Sequence, residues 1–375
     1  MHNLVLELDN NLSFGSNKEA SSHSHTSSLE YSNEDTAVTK TTPLNNIRMD
    51  PDAIHFDEKH IIGKGTYATV YKCQLHGTDI AVKVFESSQT LTAEMLNRRW
   101  RTEGELMMKL RHPHIVQLVG ASQTNGLSIL AFEYLESGSL NHYIHEVIRG
   151  KLDHGSFFSI ARDIALALNY LHKKPQPIIH MDLKSANILL DAYLRAKVAD
   201  LGLAKYASQD SIEAASDLRG LELSGPRGTP AWMAPEMLED CVRVSTATDI
   251  YGLGLILCEM KTGERPFVHL TLEQVCKAIK EGQRPTLPSD VTDDLRTLMT
   301  MCWCTEPAQR PNCEQVLAKL NQMSFPDHWK ALFGSSPLID TPIGKEVFLA
   351  SELFVTSVLV VQPLRAICSL LGGCF

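Results

Sequence analysis

The sequence predicts an α+β fold with two lobes, a small antiparallel β-sheet lobe that contains one helix and a larger, mainly α-helical lobe. Between residues 56 and 135, short β-prone runs alternate with turn residues. Between residues 136 and 322, apolar residues recur instead at helical spacing. We therefore expect one folded domain over residues 56–322, divided near residue 135.

The first lobe is predicted to contain five strands and one helix. Each strand is a short run of apolar and β-branched residues between turns, and the helix is an amphipathic stretch over residues 93–110. The five predicted strands are His60–Ile62, Thr69–Gln74, Asp79–Phe85, Ile115–Ala121 and Ser128–Glu133.

The second lobe is predicted to contain at least four helices. In the first of them the apolar residues fall on one helical face, and Thr271 with Gln274 forms the pattern of a capping box at the start of another. The four predicted helices are Phe157–Leu171, Thr248–Lys261, Thr271–Glu281 and Val291–Trp303.

The two ends of the chain differ from this domain. Residues 1–50 are rich in Ser, Thr and Asn, so we expect a disordered tail there. Residues 323–375 form a C-terminal tail with an apolar segment at 347–361, which is too short and too interrupted to predict a bilayer span. The first interpretation is a packed or partner-binding tail, and the alternative is membrane-surface contact through residues 347–375.

Charge and cysteine content narrow the function class. A net charge of −9 argues against nucleic-acid binding, which needs clustered cations. None of the 9 cysteines forms a C-x-x-C pair, which favours reduced thiols. Acidic residues interrupt the first eleven positions, so no signal peptide is predicted. We expect a cytoplasmic protein, with peripheral membrane association as the alternative, and the sequence leaves its oligomeric state open.

A glycine-containing loop and a strand lysine form the first candidate site. Residues 63–70 read GKGTYATV between two strand-like runs, where Gly63 and Gly65 allow backbone N–H groups to approach a phosphate. A simple hairpin turn is the alternative for this loop. Lys83 lies in the next apolar run and needs a counter-charge, for which Glu103 is better placed than Glu105, although a surface lysine is the alternative.

Three oxygen-bearing side chains form the second candidate site. Asp182 and Asn187 lie in the run IHMDLKSANILL, and Asp200 follows in VADLG. Carboxylate and amide oxygens are ligands that suit Mg²⁺. Each could alone be a turn residue, but their spacing after a glycine loop and a lysine favours a metal phosphate site.

These motifs together resemble a eukaryotic protein kinase catalytic domain over residues 56 to about 322. The ordered set is the glycine loop, AVK at 81–83, HMD at 180–182, DLG at 200–202 and APE at 234–236. The sequence GTPAWMAPE at 228–236 and the residues EYL at 133–135 are also similar to the tyrosine-kinase-like group of serine/threonine kinases.

The resemblance implies a function in which the γ-phosphate of ATP is transferred to serine or threonine hydroxyls of protein substrates, with Mg²⁺ or alternatively Mn²⁺. Asp182 would accept the hydroxyl proton, Lys184 would neutralise the transferred group, and Thr229 would contact both. Asn187 and Asp200 would hold the metal. The nucleotide-binding positions would be Ile62, Gly63, Lys64, Gly65, Val70, Ala81, Lys83, Glu103, Glu133, Leu135 and Leu189.

The family pattern also implies two scaffold contacts, an ion pair between Glu236 and Arg310 and support of the catalytic loop by Asp249. The sequence departs from the pattern at Ala68, Leu201 and Met181. Because the usual arginine at position 181 pairs with a phosphorylated activation loop, we hypothesise that activity depends less on loop phosphorylation than in most kinases. Loss of activity on changing Ser208, Ser211, Ser216 and Ser224 to alanine, with recovery on phosphomimetic substitution, would contradict this.

Two alternatives to a protein kinase were weighed. A pseudokinase scaffold would keep the fold without phosphoryl transfer, but the groups such proteins lose, Lys83, Asp182 and Asp200, are present here. A small-molecule kinase is disfavoured by residues 228–236, which resemble a peptide-binding segment.

Overall fold

The computed structural model describes residues 44, 47–50, 53–65, 67–85, 92–124, 127–207, 230–239 and 244–323, and for residues 55–59 the backbone alone. Most of both predicted tails, including the apolar segment 347–361, lies outside these residues. Thr229 and the serines at 208–224 do as well.

The first lobe is a five-stranded antiparallel sheet with the strand order β1–β2–β3–β5–β4. Strands β2 and β3 are joined by His76 and Gly77, whose φ values of 50° and 81° suit the two-residue turns that match strand twist. The strands are β1 Ile54–Lys64, β2 Ala68–Leu75, β3 Thr78–Phe85, β4 Leu118–Thr124 and β5 Leu127–Glu133.

The helix of this lobe, α1, spans Ala93–Met108. Thr92 caps its start, because the Thr92 side chain accepts a hydrogen bond from the Met95 amide at 3.3 Å. Trp100 lies on its buried face and donates from Nε1 to the Ile129 carbonyl at 2.9 Å. These contacts fix α1 against the sheet.

The second lobe is built around a central helix, α4, in which residues 248–260 are buried without interruption. A Cβ on Gly252 would lie 2.8 Å from the Leu183 carbonyl oxygen, so this helix passes directly below the loop that carries Asp182. The helices are α2 Leu140–His142, continued by a π-helical turn Tyr143–Val147, α3 His154–His172, α4 Thr246–Thr262, α5 Leu272–Lys280, α6 Asp293–Cys302 and α7 Cys313–Met323.

Two short antiparallel pairs lie at the junction of the lobes and hold the loops of the candidate site. Their strands are β6 Ile178–Ile179 with β9 Lys205–Tyr206, and β7 Ile188–Leu190 with β8 Ala196–Val198. Short 3₁₀ helices occur at Ser185–Asn187, Pro230–Trp232, Pro235–Leu238 and Pro307–Gln309. Within the described part of the chain, no helix has the length and apolar character needed to cross a bilayer.

The predicted elements are present, and the capping box at Thr271 and Gln274 forms. The predicted start of the fourth strand at Ile115 is wrong, since β4 begins at Leu118. Ile115 and Val116 are apolar for another reason: they lie buried against β8, where the Val116 amide donates to the Val198 carbonyl. The sequence also did not indicate α2, α7 or the pairing of the short strands.

The end of the segment predicted as a tail contacts the domain. Leu44 is 2% exposed, and the Met49 amide donates to the Ala121 carbonyl at 2.9 Å. Arg48 and Ala121 form a parallel bridge. Among residues 1–50, the described ones therefore belong to the packed structure, because the Leu44 and Met49 side chains are buried against the sheet lobe.

Candidate functional site

One cation and two carboxylates meet between the lobes. Lys83 Nζ on β3 lies 2.7 and 2.8 Å from the two carboxylate oxygens of Glu103 on α1. The same nitrogen lies 2.8 Å from Oδ1 of Asp200, which precedes β9 in the second lobe. Glu103 is thus the counter-charge of Lys83, as the sequence predicted, and Lys83 joins the two lobes.

The charges of this triad stabilise one another. Burial alone would lower the pKa of Lys83, but the Asp200 and Glu103 carboxylates outweigh it and raise that pKa. The Lys83 ammonium lowers the pKa of Asp200 to about 2, against the effect of burial. Burial raises the pKa of Glu103, and Lys83 opposes the rise. The Lys83 and Asp200 side chains are thus held in their charged forms at neutral pH.

A second cluster forms in the loop after β6. Lys184 Nζ lies 2.6 Å from Oδ2 of Asp182. Asn187 Nδ2 donates to the carbonyl of Asp182 at 2.8 Å and to its carboxylate at 3.0 Å. These contacts orient the Asp182 carboxylate, which lies on a partly buried side chain.

The backbone of this loop is held from below by Asp249 on α4. Its carboxylate accepts from the His180 amide at 2.9 Å and from the Met181 amide at 3.0 Å. The His180 ring donates from Nε2 to the Ala199 carbonyl at 2.9 Å and accepts the Asp182 amide at Nδ1. His180 therefore couples the Asp182 loop to the segment that carries Asp200.

Met181 and Asp200 both adopt the left-handed backbone conformation, with φ values of 68° and 58°. Such conformations cost energy in residues other than glycine and concentrate at functional sites. The Met181 side chain is 5% exposed and packs with Ile179, Ala207 and Val244. An apolar cluster thus occupies the position where the family pattern has a phosphate-binding cation.

The oxygen groups of the two clusters fit a divalent cation. Because the Asn187 amide nitrogen is engaged by Asp182, its carbonyl oxygen is the atom left to face a metal. The Asp200 side chain remains 47% exposed although one of its oxygens contacts Lys83. Asp200 and Asn187 therefore supply hard, negative or dipolar oxygen ligands of the kind that Mg²⁺ prefers.

The remaining nucleotide-binding candidates lie on β1 to β3 of the sheet, on the connection after β5 and on β7. In the sheet, Val70 pairs with Lys83, and Ala81 with Phe132. Ile62 is 49% exposed on β1, and the turn after it closes by a 2.9 Å hydrogen bond from the Gly65 amide to the Ala68 carbonyl. Gly63 and Lys64 end β1, Leu135 is buried after β5, and Leu189 lies on β7.

The connection between the lobes contains a contact that the sequence did not indicate. The Glu133 carboxylate accepts from the Gln117 amide at 2.8 Å and from Lys197 Nζ on β8 at 2.6 Å. The family resemblance implies a nucleotide-binding position at Glu133 but neither of these side-chain contacts. Lys197 stands between the buried residues Ala196 and Val198 in a short strand. Because neighbouring strand residues point to opposite faces, this pattern predicts a solvent-facing lysine and gives no sign of a partner.

Comparison with known proteins gives one family. The family model described as protein tyrosine and serine/threonine kinase matches residues 56–320. Among curated relatives, serine/threonine-protein kinase CTR1 of Arabidopsis thaliana is 36% identical over 71% of this chain and 31% of its own length. Serine/threonine-protein kinase VIK of the same plant is 34% identical over 76% of this chain and 65% of its own length.

A relative from another organism is named for a different specificity. Dual specificity protein kinase shkC of Dictyostelium discoideum is 31% identical over 76% of this chain and 56% of its own length. This chain thus spans less than two thirds of the length of each of these three relatives. The residues matched by the family model include Lys83, Glu103, Asp182, Asn187 and Asp200.

Proposed function

Because the chain belongs to the protein tyrosine and serine/threonine kinase family, we propose that it transfers the γ-phosphate of ATP to serine or threonine hydroxyls of other proteins. The observation that carries this proposal is the contact of Lys83 with both Glu103 and Asp200 across the two lobes. The same three groups are the ones that a phosphoryl-transfer site of this family needs in place together.

Each of the described side chains has a separate role in the proposed reaction. Lys83, fixed by Glu103, binds the α- and β-phosphates, while Asp200 and Asn187 would hold Mg²⁺ or Mn²⁺, which would supply positive charge to the phosphates. Asp182 orients the attacking hydroxyl and accepts its proton, while Lys184, 2.6 Å away, stabilises the negative charge of the transferred group.

The adenine is proposed to lie against Val70, Ala81 and Leu189, with backbone groups of residues 133–135 as its hydrogen-bonding partners. The Glu133 amide donates to the Gln117 carbonyl at 3.1 Å, and the Glu133 side chain contacts the Gln117 amide and Lys197. These contacts fix the position of the connection. Ile62 and the glycine loop would cover the nucleotide from the sheet lobe.

The preference for serine and threonine rests on Lys184 and on Thr229, which lies outside the described residues. Two of the compared relatives carry serine/threonine in their names, and a third is named as dual specificity, so tyrosine acceptors belong in the test. A role in intracellular signalling, a cytoplasmic location and membrane contact through residues 347–375 remain predictions.

Phosphoryl transfer is tested with radiolabelled ATP, Mg²⁺ or Mn²⁺ and a generic protein substrate. Wild type is expected to label serine and threonine, identified by phosphoamino-acid analysis, and Asp182→Ala is expected to reduce labelling by roughly a thousandfold or more. No labelling by wild type with either metal, together with retained nucleotide binding, would favour a pseudokinase scaffold instead. Equal labelling by both proteins would indicate a contaminating kinase.

A further inference from the structure

Helix α1 carries a glycine, Gly104, directly after the residue that pairs with Lys83. Glycine is disfavoured inside a helix, because it has no side chain to pack and loses much backbone freedom on ordering. A Cβ on Gly104 would lie 2.8 Å from Cδ2 of Leu44 and 3.1 Å from Cδ2 of Leu130. The space beside the glycine is therefore filled by Leu44, a residue that precedes the family domain.

Leu44 reaches this position as part of an anchored segment, here called the N-terminal clasp and defined as residues 44 and 47–49. The Met49 amide bonds the Ala121 carbonyl at 2.9 Å, and Arg48 bridges Ala121 in parallel orientation. A second glycine makes room for it, since a Cβ on Gly120 would lie 3.1 Å from Met49 Sδ. The clasp thus pairs with β4, the edge strand of the sheet, and places Leu44 in the apolar cluster with Trp100 of α1 and Leu130 of β5.

The position of α1 determines whether the Glu103 carboxylate reaches Lys83. Glu103 is 3% exposed, and burying a carboxylate is unfavourable unless its partner is held in good geometry. Glu103 and Gly104 are neighbours, so a rotation or outward shift of the helix at Gly104 also moves the Glu103 carboxylate away from Lys83. Leu44 is 2% exposed in the same apolar cluster as Leu96 and Trp100 of α1, so its burial opposes such a shift.

We propose that the N-terminal clasp positions α1 for catalysis, and that Leu44 is the positioning residue that keeps the Glu103 carboxylate on Lys83. Leu44 touches neither nucleotide nor substrate, and it acts through Gly104. This inference rests on the proposed phosphoryl transfer and deepens it. It makes the catalytic activity depend on residues 44 and 47–49, which precede the family domain.

The first test uses Leu44→Ala in the full chain. We expect kcat to fall about tenfold, because a smaller fraction of molecules has the Lys83–Glu103 pair formed, while KM for the protein substrate stays within about twofold. Hydrogen exchange of the amides in residues 93–108 is expected to become faster. Leu320→Ala on α7 is the matched control, since Leu320 is 1% exposed in the helical lobe and loses the same atoms.

The second test uses Gly104→Ala in both backgrounds. In wild type the added methyl displaces Leu44, so kcat is expected to fall. In Leu44→Ala both Leu44 contacts of the methyl are gone and only Leu130 Cδ2, at 3.1 Å, has to give, so the double variant is expected to be at least as active as Leu44→Ala. Effects that multiply independently in the double variant would show that the two positions are not coupled.

Two results would contradict the proposal that the N-terminal clasp positions α1. One is that Leu44→Ala and Leu320→Ala change kcat per folded molecule equally, and the other is that exchange in residues 93–108 does not respond to Leu44→Ala. If wild type transfers no phosphate, the proposed function fails by itself. The exchange measurement, which needs no turnover, then still decides whether Leu44 holds α1.

Discussion

Arg310 in the helical lobe and Lys83 in the sheet lobe each bind a carboxylate in the interior, but their surroundings differ. The Arg310 side chain is 0% exposed, and its five N–H donors have five acceptors, two on Glu236 and one each on the carbonyls of Ala247, Cys304 and Thr305. Lys83 instead shares its ammonium between carboxylates from two lobes, and one of them, Asp200, is 47% exposed. The Arg310 network is enclosed by the protein, whereas the Lys83 network includes a carboxylate that a ligand can reach.

This difference predicts that the two networks fail in different ways. Removing a charge from the enclosed Arg310 network leaves buried groups unpaired, so stability is expected to fall. Removing the exposed carboxylate of the Lys83 network leaves Lys83 paired with Glu103, so we expect the fold to survive and the proposed metal site to lose a ligand. Activity and stability should therefore respond separately at the two places.

The largest expected effect is that of Asp200→Asn on catalysis. The amide keeps the shape but not the charge that would hold the metal, so we expect kcat to fall by about a thousandfold. The melting temperature is expected to stay within about 3 °C of wild type, because surface-accessible substitutions change stability little. Steady-state kinetics and calorimetry on the same preparation measure both. Activity within tenfold of wild type would remove Asp200 from the metal site.

Arg310→Met reverses this pattern. It leaves the Glu236 carboxylate buried and unpaired, which we expect to lower the free energy of unfolding by about 3–5 kcal/mol, as broken buried ion pairs do. Urea unfolding followed by far-UV circular dichroism measures the loss. A fall below about 1 kcal/mol would show that the buried pair is no stronger than a surface one.

The double variant Glu236→Met/Arg310→Met is the control for Arg310→Met. It removes the unpaired carboxylate but not the three carbonyls that Arg310 also satisfies. We therefore expect it to regain part of the lost stability and not all of it. If the double variant is no more stable than Arg310→Met, the carbonyl contacts rather than the ion pair account for the loss.

The sequence predicts most of both networks because their residues are local motifs with a fixed order along the chain. Lys83, Asp182 and Asp200 were identified from their neighbours, and Glu236 with Arg310 from the family pattern. Glu103 could be preferred over Glu105 only by its place in the predicted helix, and the structure shows the contact at 2.7 Å. The roles of these residues in catalysis remain proposals.

The missed contacts share a physical cause. Leu44 meets Gly104, and Lys197 meets Glu133, across 60 and 64 residues of chain, and no local periodicity reports such a pairing. Gly104 was the only local signal of the Leu44 contact, because a glycine inside an amphipathic helix indicates that another residue packs closely against it. The Ser- and Thr-rich composition of residues 1–50 predicts disorder for the whole segment, although apolar residues such as Leu44 and Met49 lie near the end of it.

The smallest expected effect is at an exposed ion pair that extends the comparison to the surface. Lys173 Nζ lies 3.0 Å from Glu314 on α7, with side chains 61% and 58% exposed. Because water and salt screen such a pair, Lys173→Ala is expected to change the free energy of unfolding by less than about 1 kcal/mol, and less still at high salt. Urea unfolding at two salt concentrations, beside Arg310→Met, measures the contrast. A loss comparable to that of Arg310→Met would show that burial and saturation of the donors are not what separates a scaffold pair from a surface pair.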